Sequence, residues 1–224
     1  MKVNILMGIL ITLGGLGYDT IFHNLVMKTI ASGLFVALGL INLRGLKAAS
    51  LHQNEKKRTV GFATVLVAGF GVCMVADIVL EIVFMYGALL FGIGHIFYFA
   101  AYCKVAPFQW KDLKWACISF PLAVGIIVFL PIFDFGDVIM ELVCIVYALL
   151  ISCMLSKAIS NYLRLHDAVT LTFMVGSVMF FFSDFMLLFE QFSSAPNIVG
   201  SLCVNSYYPA QAVLGFGIYK AYKK

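Results

Sequence analysis

The sequence predicts an all-α integral membrane protein, a polytopic bundle of eight transmembrane helices. Three observations support this prediction: the composition, the continuous apolar runs and the placement of the basic residues. The 224 residues are 62% hydrophobic and 12% charged, with a mean hydropathy of +1.01. Soluble domains carry about 25% charged residues, so a chain with this composition needs lipid around most of its surface.

Eight apolar runs divide the chain. A spanning helix needs about 20 mostly apolar residues, and each run approaches that length. Strands of a membrane barrel would alternate polar and apolar residues, whereas these runs are continuous. No Pro/Ser-rich linker separates them, so residues 1–224 are predicted to form a single membrane domain. The predicted spans cover residues 3–22, 25–43, 60–80, 82–103, 113–131, 137–156, 168–190 and 198–219.

The basic residues segregate to one side of this predicted bundle. With a cytoplasmic N-terminus, 14 of the 15 Lys and Arg residues fall in inner segments, and only Lys28 lies near the outer side. Cytoplasmic loops carry the Lys/Arg excess, so both chain termini are predicted to be cytoplasmic. The inner residues are Lys2, Arg44, Lys47, Lys56, Lys57, Arg58, Lys104, Lys111, Lys114, Lys157, Arg164, Lys220, Lys223 and Lys224.

Composition and motifs argue against several functional classes. The basic residues sit in short loops, so a nucleic-acid partner is not expected. The six cysteines are scattered singly through apolar runs, a pattern typical of neither a disulfide framework nor a zinc site. His95 alone lies mid-span, which leaves no pair of axial ligands for haem. No A-x-A-like cleavage site follows the first run, so the first helix is predicted to stay uncleaved.

A weak internal repeat relates the third and seventh predicted spans, which contain MVADIVL and FFSDFML. An offset of four helices preserves orientation across the membrane. The repeat would therefore consist of two parallel four-helix halves, residues 1–110 and 111–224. The alternative is that two helix ends carry acids by coincidence.

Asp77 and Asp184 are the acids of this repeat. Asp77 lies 18 residues beyond Thr59 and Asp184 lies 17 beyond Asp167, so both are expected at similar depth in the outer half of the bilayer. A carboxylate at that depth is costly and usually faces the bundle interior. A shared cavity is the functional interpretation; helix capping or exposure to headgroups is the alternative.

A polar stripe follows on the fourth predicted span. Tyr98 and Tyr102 lie three and seven residues beyond His95, on one helical face. Gly87 and Gly94 permit close approach of a neighbouring helix. Three polar residues on one face indicate a cavity wall, although a single satisfied core histidine is a common alternative.

The eighth predicted span contains NSYYPAQ. Asn205, Tyr208 and Gln211 share one helical face, and Pro209 predicts a kink because it removes a backbone donor. An ordinary kink with interfacial tyrosines is the alternative. Lys28, at the outer start of the second span, either snorkels to the headgroups, meets a lipid phosphate, or pairs with an Asp.

These residues resemble the lysoplasmalogenase-like family, known as YhhN in bacteria. The resemblance extends over the whole chain in length and number of spans. Ala76 stands where the family typically has Gly, and Thr29 where it often has Pro. The matching motifs are Ala76-Asp77-x-x-Leu80, Phe91-x-x-x-His95-x-x-Tyr98, Ser183-Asp184-x-x-Leu187 and Asn205-x-Tyr207-Tyr208-x-x-Gln211.

The resemblance implies hydrolysis of the vinyl ether bond of lysoplasmalogens, with a lysophospholipid in the bilayer as substrate. It implies that Asp77 and Asp184 act as acid and base, in an order that the sequence leaves open. Glycosidases manage a similar oxocarbenium ion with two carboxylates. Neither a metal nor another cofactor is required. The implied location is the plasma membrane of a bacterium or the endoplasmic reticulum of a eukaryote. The implied substrate-binding residues are Lys28, His95, Tyr98, Asn205, Tyr208 and Gln211.

Two other functions fit a polar cavity inside a membrane protein. A transporter of a small amphiphile would use Asp77 and Asp184 as a proton relay, and a parallel repeat suits such a protein. A binding or scaffold protein would need neither acid. Release of a fatty aldehyde distinguishes the hydrolase from both.

Overall fold

The computed structural model of the chain describes residues 1–222. Lys223 and Lys224, two of the basic residues predicted to be cytoplasmic, lie outside the described residues. Within residues 1–222 the chain forms eight α-helices and no strand, as expected for an all-α fold. The helices are α1 (Lys2–Gly17), α2 (Leu25–Ala48), α3 (Gln53–Leu80), α4 (Phe84–Val105), α5 (Ala116–Phe129), α6 (Val138–Leu165), α7 (Ala168–Phe192) and α8 (Ile198–Lys220).

Seven of the eight described helices are long and apolar enough to cross a membrane. A π-helical turn, Tyr18–Phe22, extends α1, and a 3-10 turn, Trp110–Leu113, precedes α5. The eighth helix, α8, does not reach the same hydropathy, because NSYYPAQ lies in its middle. At 1.5 Å per residue it is nevertheless long enough to span about 30 Å of hydrocarbon. These seven helices indicate an integral multi-pass membrane protein, and the crossing by α8 stays a prediction.

Several helices extend further than the apolar runs that predicted them. Helix α3 begins at Gln53 rather than at residue 60, and α6 ends at Leu165 rather than at residue 156. Gln, Glu, Lys and Arg are good helix formers, so the helix continues past the apolar run. Asp137 and Asp167 begin α6 and α7 by accepting backbone N–H groups of Met140 and Thr170, as N-caps do.

Six helices form a closed ring in the order α2, α3, α4, α6, α7, α8 and back to α2. Helix α1 packs outside the ring against both α2 and α8, and α5 packs outside it against α6. The predicted repeat pairs α1–α4 with α5–α8, and the neighbours in the ring follow that pairing. The duplication itself stays a prediction.

The pairs α3–α4 and α7–α8 are the most extensively packed. Glycines let these helices approach closely, as small residues do in membrane bundles. A Cβ atom on Gly94 would lie 2.6 Å from Cys73 Sγ, and one on Gly176 would lie 2.6 Å from the Leu214 side chain. Neither position has room for a larger residue. This tight packing fixes α3 relative to α4 and α7 relative to α8, and with them Asp77 and Asp184.

Candidate active site

A polar cavity opens at the end of the bundle opposite the start of α1 and the end of α8, called the outer end below. Its volume is about 730 Å³, within the range of about 300–1,000 Å³ that is typical of small-molecule sites. The turn after α1, together with α2, α3, α4, α7 and α8, contributes to its wall. Its ionisable side chains are those of Tyr18, Asp19, His23, Lys28, Asp77, Glu81, Asp184, Glu190, Cys203, Tyr207 and Tyr208.

Asp77 lies in the wall of this cavity on the last turn of α3. Its residue is only 2% exposed. Its Oδ2 atom accepts a hydrogen bond of 2.5 Å from the Ser32 hydroxyl of α2 and one of 2.9 Å from the Tyr207 hydroxyl of α8. Two donors from two different helices therefore fix the carboxyl group, so Asp77 faces the bundle and not the lipid.

Asp184 lies in the wall of the same cavity on α7. Its Oδ2 atom accepts a hydrogen bond of 2.6 Å from the Tyr147 hydroxyl of α6 and lies 3.2 Å from His95 Nε2 of α4. His95 Nε2 is also 2.9 Å from the Tyr147 oxygen. The three side chains form one connected group, and His95 itself is fully buried.

The two aspartates are held in corresponding ways. Each accepts from a hydroxyl of the preceding ring helix: Ser32 of α2 for Asp77, and Tyr147 of α6 for Asp184. Each is also approached from the other half of the chain, by Tyr207 of α8 or by His95 of α4. The sequence predicts that both aspartates face one cavity. In the structure, Asp77 and Asp184 both line the polar cavity.

Aromatic rings form the floor between the two carboxyl groups. Tyr207 packs edge-on against Phe91 and Phe180, with ring centroids 5.8 Å and 5.2 Å apart. Phe180 also packs against His95, at 4.9 Å between centroids. Buried aromatic contacts of this kind hold ring orientations rigidly, so the donors to both carboxylates are fixed by packing as well as by hydrogen bonds.

Tyr98 and Gln211, two of the sequence-predicted residues, lie below this floor and not in the cavity wall. The Tyr98 hydroxyl donates to Gln211 Oε1 at 2.9 Å, and both side chains are fully buried. Their contact ties α4 to α8. Neither residue lines the cavity, contrary to the prediction, because the rings of Phe180 and Tyr207 lie above them.

Tyr208 and Asn205 occupy two different places along α8. The Tyr208 side chain lines the cavity, and its hydroxyl oxygen is buried without a hydrogen-bond partner among the described residues. Asn205 is exposed, and it donates to the carboxylate of Asp19 at 3.0 Å. Asn205 therefore contributes to the cavity only by positioning Asp19.

Lys28 pairs with an acid at the mouth of the cavity. Its Nζ atom lies 2.6 Å from Glu81 Oε1, and that oxygen also accepts a hydrogen bond of 2.6 Å from the Tyr18 hydroxyl. Partial burial of the Glu81 carboxyl raises its pKa, but the hydrogen bonds from Lys28 and Tyr18 outweigh that effect and hold the pKa below its usual value. Lys28 is thus paired, as one alternative predicted, although its partner is a Glu and not an Asp.

Three donors of the site were missed in the sequence: Ser32, Tyr147 and Tyr207. Tyr147 is the lone hydroxyl in the apolar stretch VCIVYALLI, and Ser32 lies in the similar stretch IASGLF. An isolated hydroxyl at that depth was a usable signal, because a buried carboxylate needs hydrogen-bond donors. Tyr207 belongs to the stretch NSYYPAQ, in which helical spacing from Asn205 favours its neighbour Tyr208.

Comparison with known proteins identifies one related group. A family model described as the YhhN family matches residues 24–218, which includes every sequence-predicted site residue. No curated protein and no solved structure matches the chain.

Proposed function

Because the chain belongs to the YhhN family, we propose that it is a membrane hydrolase that cleaves the vinyl ether bond of lysoplasmalogens. The products are a fatty aldehyde and glycerophosphoethanolamine or glycerophosphocholine. One observation carries the proposal: two carboxyl groups, that of Asp77 buried and that of Asp184 8% exposed, line the same cavity, and each is contacted by polar side chains from two other helices. Such groups are expensive to bury and mark functional sites in membrane proteins.

The reaction needs two carboxyl groups in different protonation states. In the first step, one carboxyl gives its proton to the β-carbon of the vinyl ether, which uses the π electron pair to form the new C–H bond. The α-carbon becomes an oxocarbenium ion, and the second group, a carboxylate, takes a proton from the water that attacks it. General acid–base catalysis by a positioned pair contributes about 10²–10⁴-fold in rate.

The resulting hemiacetal collapses with the same two groups in reversed roles. The first group, now a carboxylate, takes the proton of the hemiacetal hydroxyl as the C=O bond of the aldehyde forms. The second group gives its proton to the departing glycerol oxygen. One water is consumed, and both carboxyl groups return to their starting protonation states.

The other side chains would orient these groups and the lipid. Tyr208 and Lys28 line the cavity and suit the glycerol and phosphate parts of the substrate. His95 and Tyr147 position Asp184, while Ser32 and Tyr207 position Asp77. Tyr98 and Gln211 support the floor, and Asn205 holds Asp19.

The decisive experiment measures aldehyde release by purified protein from a panel of lysolipids. Asp77→Asn and Asp184→Asn should each lose about 10²–10⁴-fold in turnover. The double variant should be little worse than either single variant, because the pair acts as a unit. A saturated ether lysolipid should bind without reacting, because it has no π bond to protonate.

Retained aldehyde release in both single variants would show that Asp77 and Asp184 do not carry the reaction. A transporter would instead show proton-coupled uptake of the lipid into vesicles, lost in the same variants, with no aldehyde from any substrate. Cleavage of the saturated ether at the same rate as the vinyl ether would show that protonation at carbon is not the key step.

A further inference from the structure

A second, apolar pocket adjoins the polar cavity. It lies between α4, α5, α6 and α7 and has a volume of about 70 Å³. One water needs only about 10–15 Å³ of such space. Cavities with apolar walls nevertheless stay dry. Among its described lining residues, only Asp184 and Tyr147 carry a carboxyl or hydroxyl group. Water therefore gains little there, and the pocket suits a hydrocarbon.

The apolar pocket and the polar cavity meet at Asp184. Four residues line both: Phe84, Phe91, Asp184 and Leu187. Asp77, by contrast, lines only the polar cavity. A molecule that filled both spaces would have one polar and one apolar end, and its junction between them would touch Asp184.

The position of α5 makes the apolar pocket possible. On one side of the ring, α1 packs against both α2 and α8. On the other side, α5 packs along α6 but makes no comparable packing against α4 in the described part of the chain. Alanines line the resulting space from three helices, namely Ala88, Ala123 and Ala148. These small side chains leave the space open between the helices.

We propose that this apolar pocket seats the hydrocarbon chain of the single-chain lipid substrate, and that Asp184 is therefore the group that protonates it. The proposal rests on the proposed function for the identity of the lipid. In a vinyl ether the β-carbon continues into the chain, while the α-carbon bears the glycerol oxygen. A chain in the pocket brings the β-carbon to Asp184 and leaves the α-carbon and the attacking water on the side of Asp77.

The steps then balance with assigned residues. The Asp184 carboxyl transfers its proton to the β-carbon, and the π pair forms the C–H bond. Water adds to the α-carbon and releases its proton to the Asp77 carboxylate. On collapse, Asp184 takes the hemiacetal proton and Asp77 protonates the glycerol oxygen as the C–O bond breaks. Ser32 and Tyr207 hold Asp77 for this role, as Tyr147 and His95 hold Asp184.

A photo-crosslinking experiment tests the seat of the chain independently of turnover. The probe is a saturated ether lysolipid with a diazirine near the first chain carbons, mixed with the full-length protein in detergent and mapped by mass spectrometry. Adducts should form on the pocket-lining residues of α6 and α7. Ala148→Phe should fill the pocket and lower the yield of these adducts at least about tenfold, the discrimination typical of a lost apolar fit.

Leu149→Phe is the matched control, because Leu149 is the next residue on α6 and is 41% exposed on the outer surface of the bundle. It should leave the adducts unchanged. Adducts spread over the lipid-facing surface, or equal yields in both variants, would overturn the proposal. Adducts in the pocket without aldehyde release would support the chain seat while the proposed function fails. Aldehyde release with adducts outside the pocket would support the proposed function and contradict the chain seat.

A modified substrate tests the assignment of Asp184. A methyl group on the α-carbon of the vinyl ether stabilises the cation, so protonation needs less help, and hydrolysis then releases a ketone. Asp184→Asn should regain at least about tenfold of its lost rate with this substrate, since the lost acid is worth about 10²–10⁴-fold. Asp77→Asn should not. Preferential rescue of Asp77→Asn, or equal rescue of both, would overturn the assignment.

Discussion

Single hydroxyl groups position the carboxylates of the candidate site. Tyr147 donates to Asp184 at 2.6 Å and Tyr207 donates to Asp77 at 2.9 Å. Both rings are held by aromatic neighbours, since Tyr147 packs against His95 and Tyr207 against Phe180. Removing either hydroxyl should leave the fold intact and free one carboxylate to rotate.

Tyr147→Phe and Tyr207→Phe should therefore lower kcat with little change in KM. A hydrogen bond contributes about 0.5–1.5 kcal/mol to a neutral group and about 1.5–3 kcal/mol to a charged one, so the expected loss is about 2–150-fold. Steady-state kinetics of aldehyde release measures it. Tyr86→Phe is the control, because Tyr86 is 56% exposed. A rise in KM with unchanged kcat would mean that these hydroxyls contact the lipid and not the carboxylates.

The Lys28–Glu81 pair gives a prediction for pH. The pKa of Glu81 is lower in the folded protein than the usual value of about 4.3. Its contribution to stability is therefore fully present above that usual value and is lost as the pH falls through the lower, folded-state pKa. The group is about one-third exposed, so the contribution is at most about 1 kcal/mol. The thermal midpoint of Glu81→Gln should lie below that of the unsubstituted protein at pH 7 and should match it near the pH where the folded-state carboxyl protonates.

At the scale of helices, an ion-pair network holds the inner end of the bundle. Asp112, in the 3-10 turn before α5, accepts from Lys157 Nζ of α6 at 2.5 Å and from Arg164 at 3.2 Å. Lys157 is fully buried, although the predicted spans place it in an inner loop. The network fastens the turn to α6 and is far from the polar cavity.

Lys157→Met should destabilise the protein by about 3–5 kcal/mol, because it leaves the Asp112 carboxylate buried without its main partner. Unfolding in detergent measures this loss, and the folded fraction should keep its specific activity. Lys111→Met, at an exposed position of the same turn, should change stability by less than about 0.5 kcal/mol. Equal effects of the two substitutions would contradict a structural role for the buried pair.

Hydropathy predicted the helices because lipid solvation acts on each helix separately. It also identified Asp77 and Asp184 as candidate site residues, since an acid in an apolar run is visible in the sequence without knowing its neighbours in space. Partners such as Ser32 and Tyr207 belong to other helices, and only the packing of the ring pairs them with Asp77. The same limit explains Tyr98 and Gln211, whose polar face was recognised correctly but whose depth below the aromatic floor was not.

At the scale of the whole molecule, the number of crossings decides which side of the membrane each end faces. If α8 crosses, both termini lie on one side, with the basic residues in the cytoplasm. A reporter fused after the last residue should then read cytoplasmic, and one fused in the turn between α7 and α8 should read external. A C-terminal reporter on the external side would mean that α8 does not cross.

Each carboxylate of the site is completed by the opposite half of the polypeptide. Asp77 depends on Tyr207, and Asp184 depends on His95. During synthesis, Asp184 can meet its partners once α7 has been inserted, whereas Asp77 lacks Tyr207 until α8 has been made and inserted. Two fragments cut between residues 110 and 111 would each be inert alone. Expressed together, the fragments would have to form the Asp77–Tyr207 and Asp184–His95 contacts between them to restore the site. Recovery of activity by the paired fragments therefore reports directly on closure of the ring.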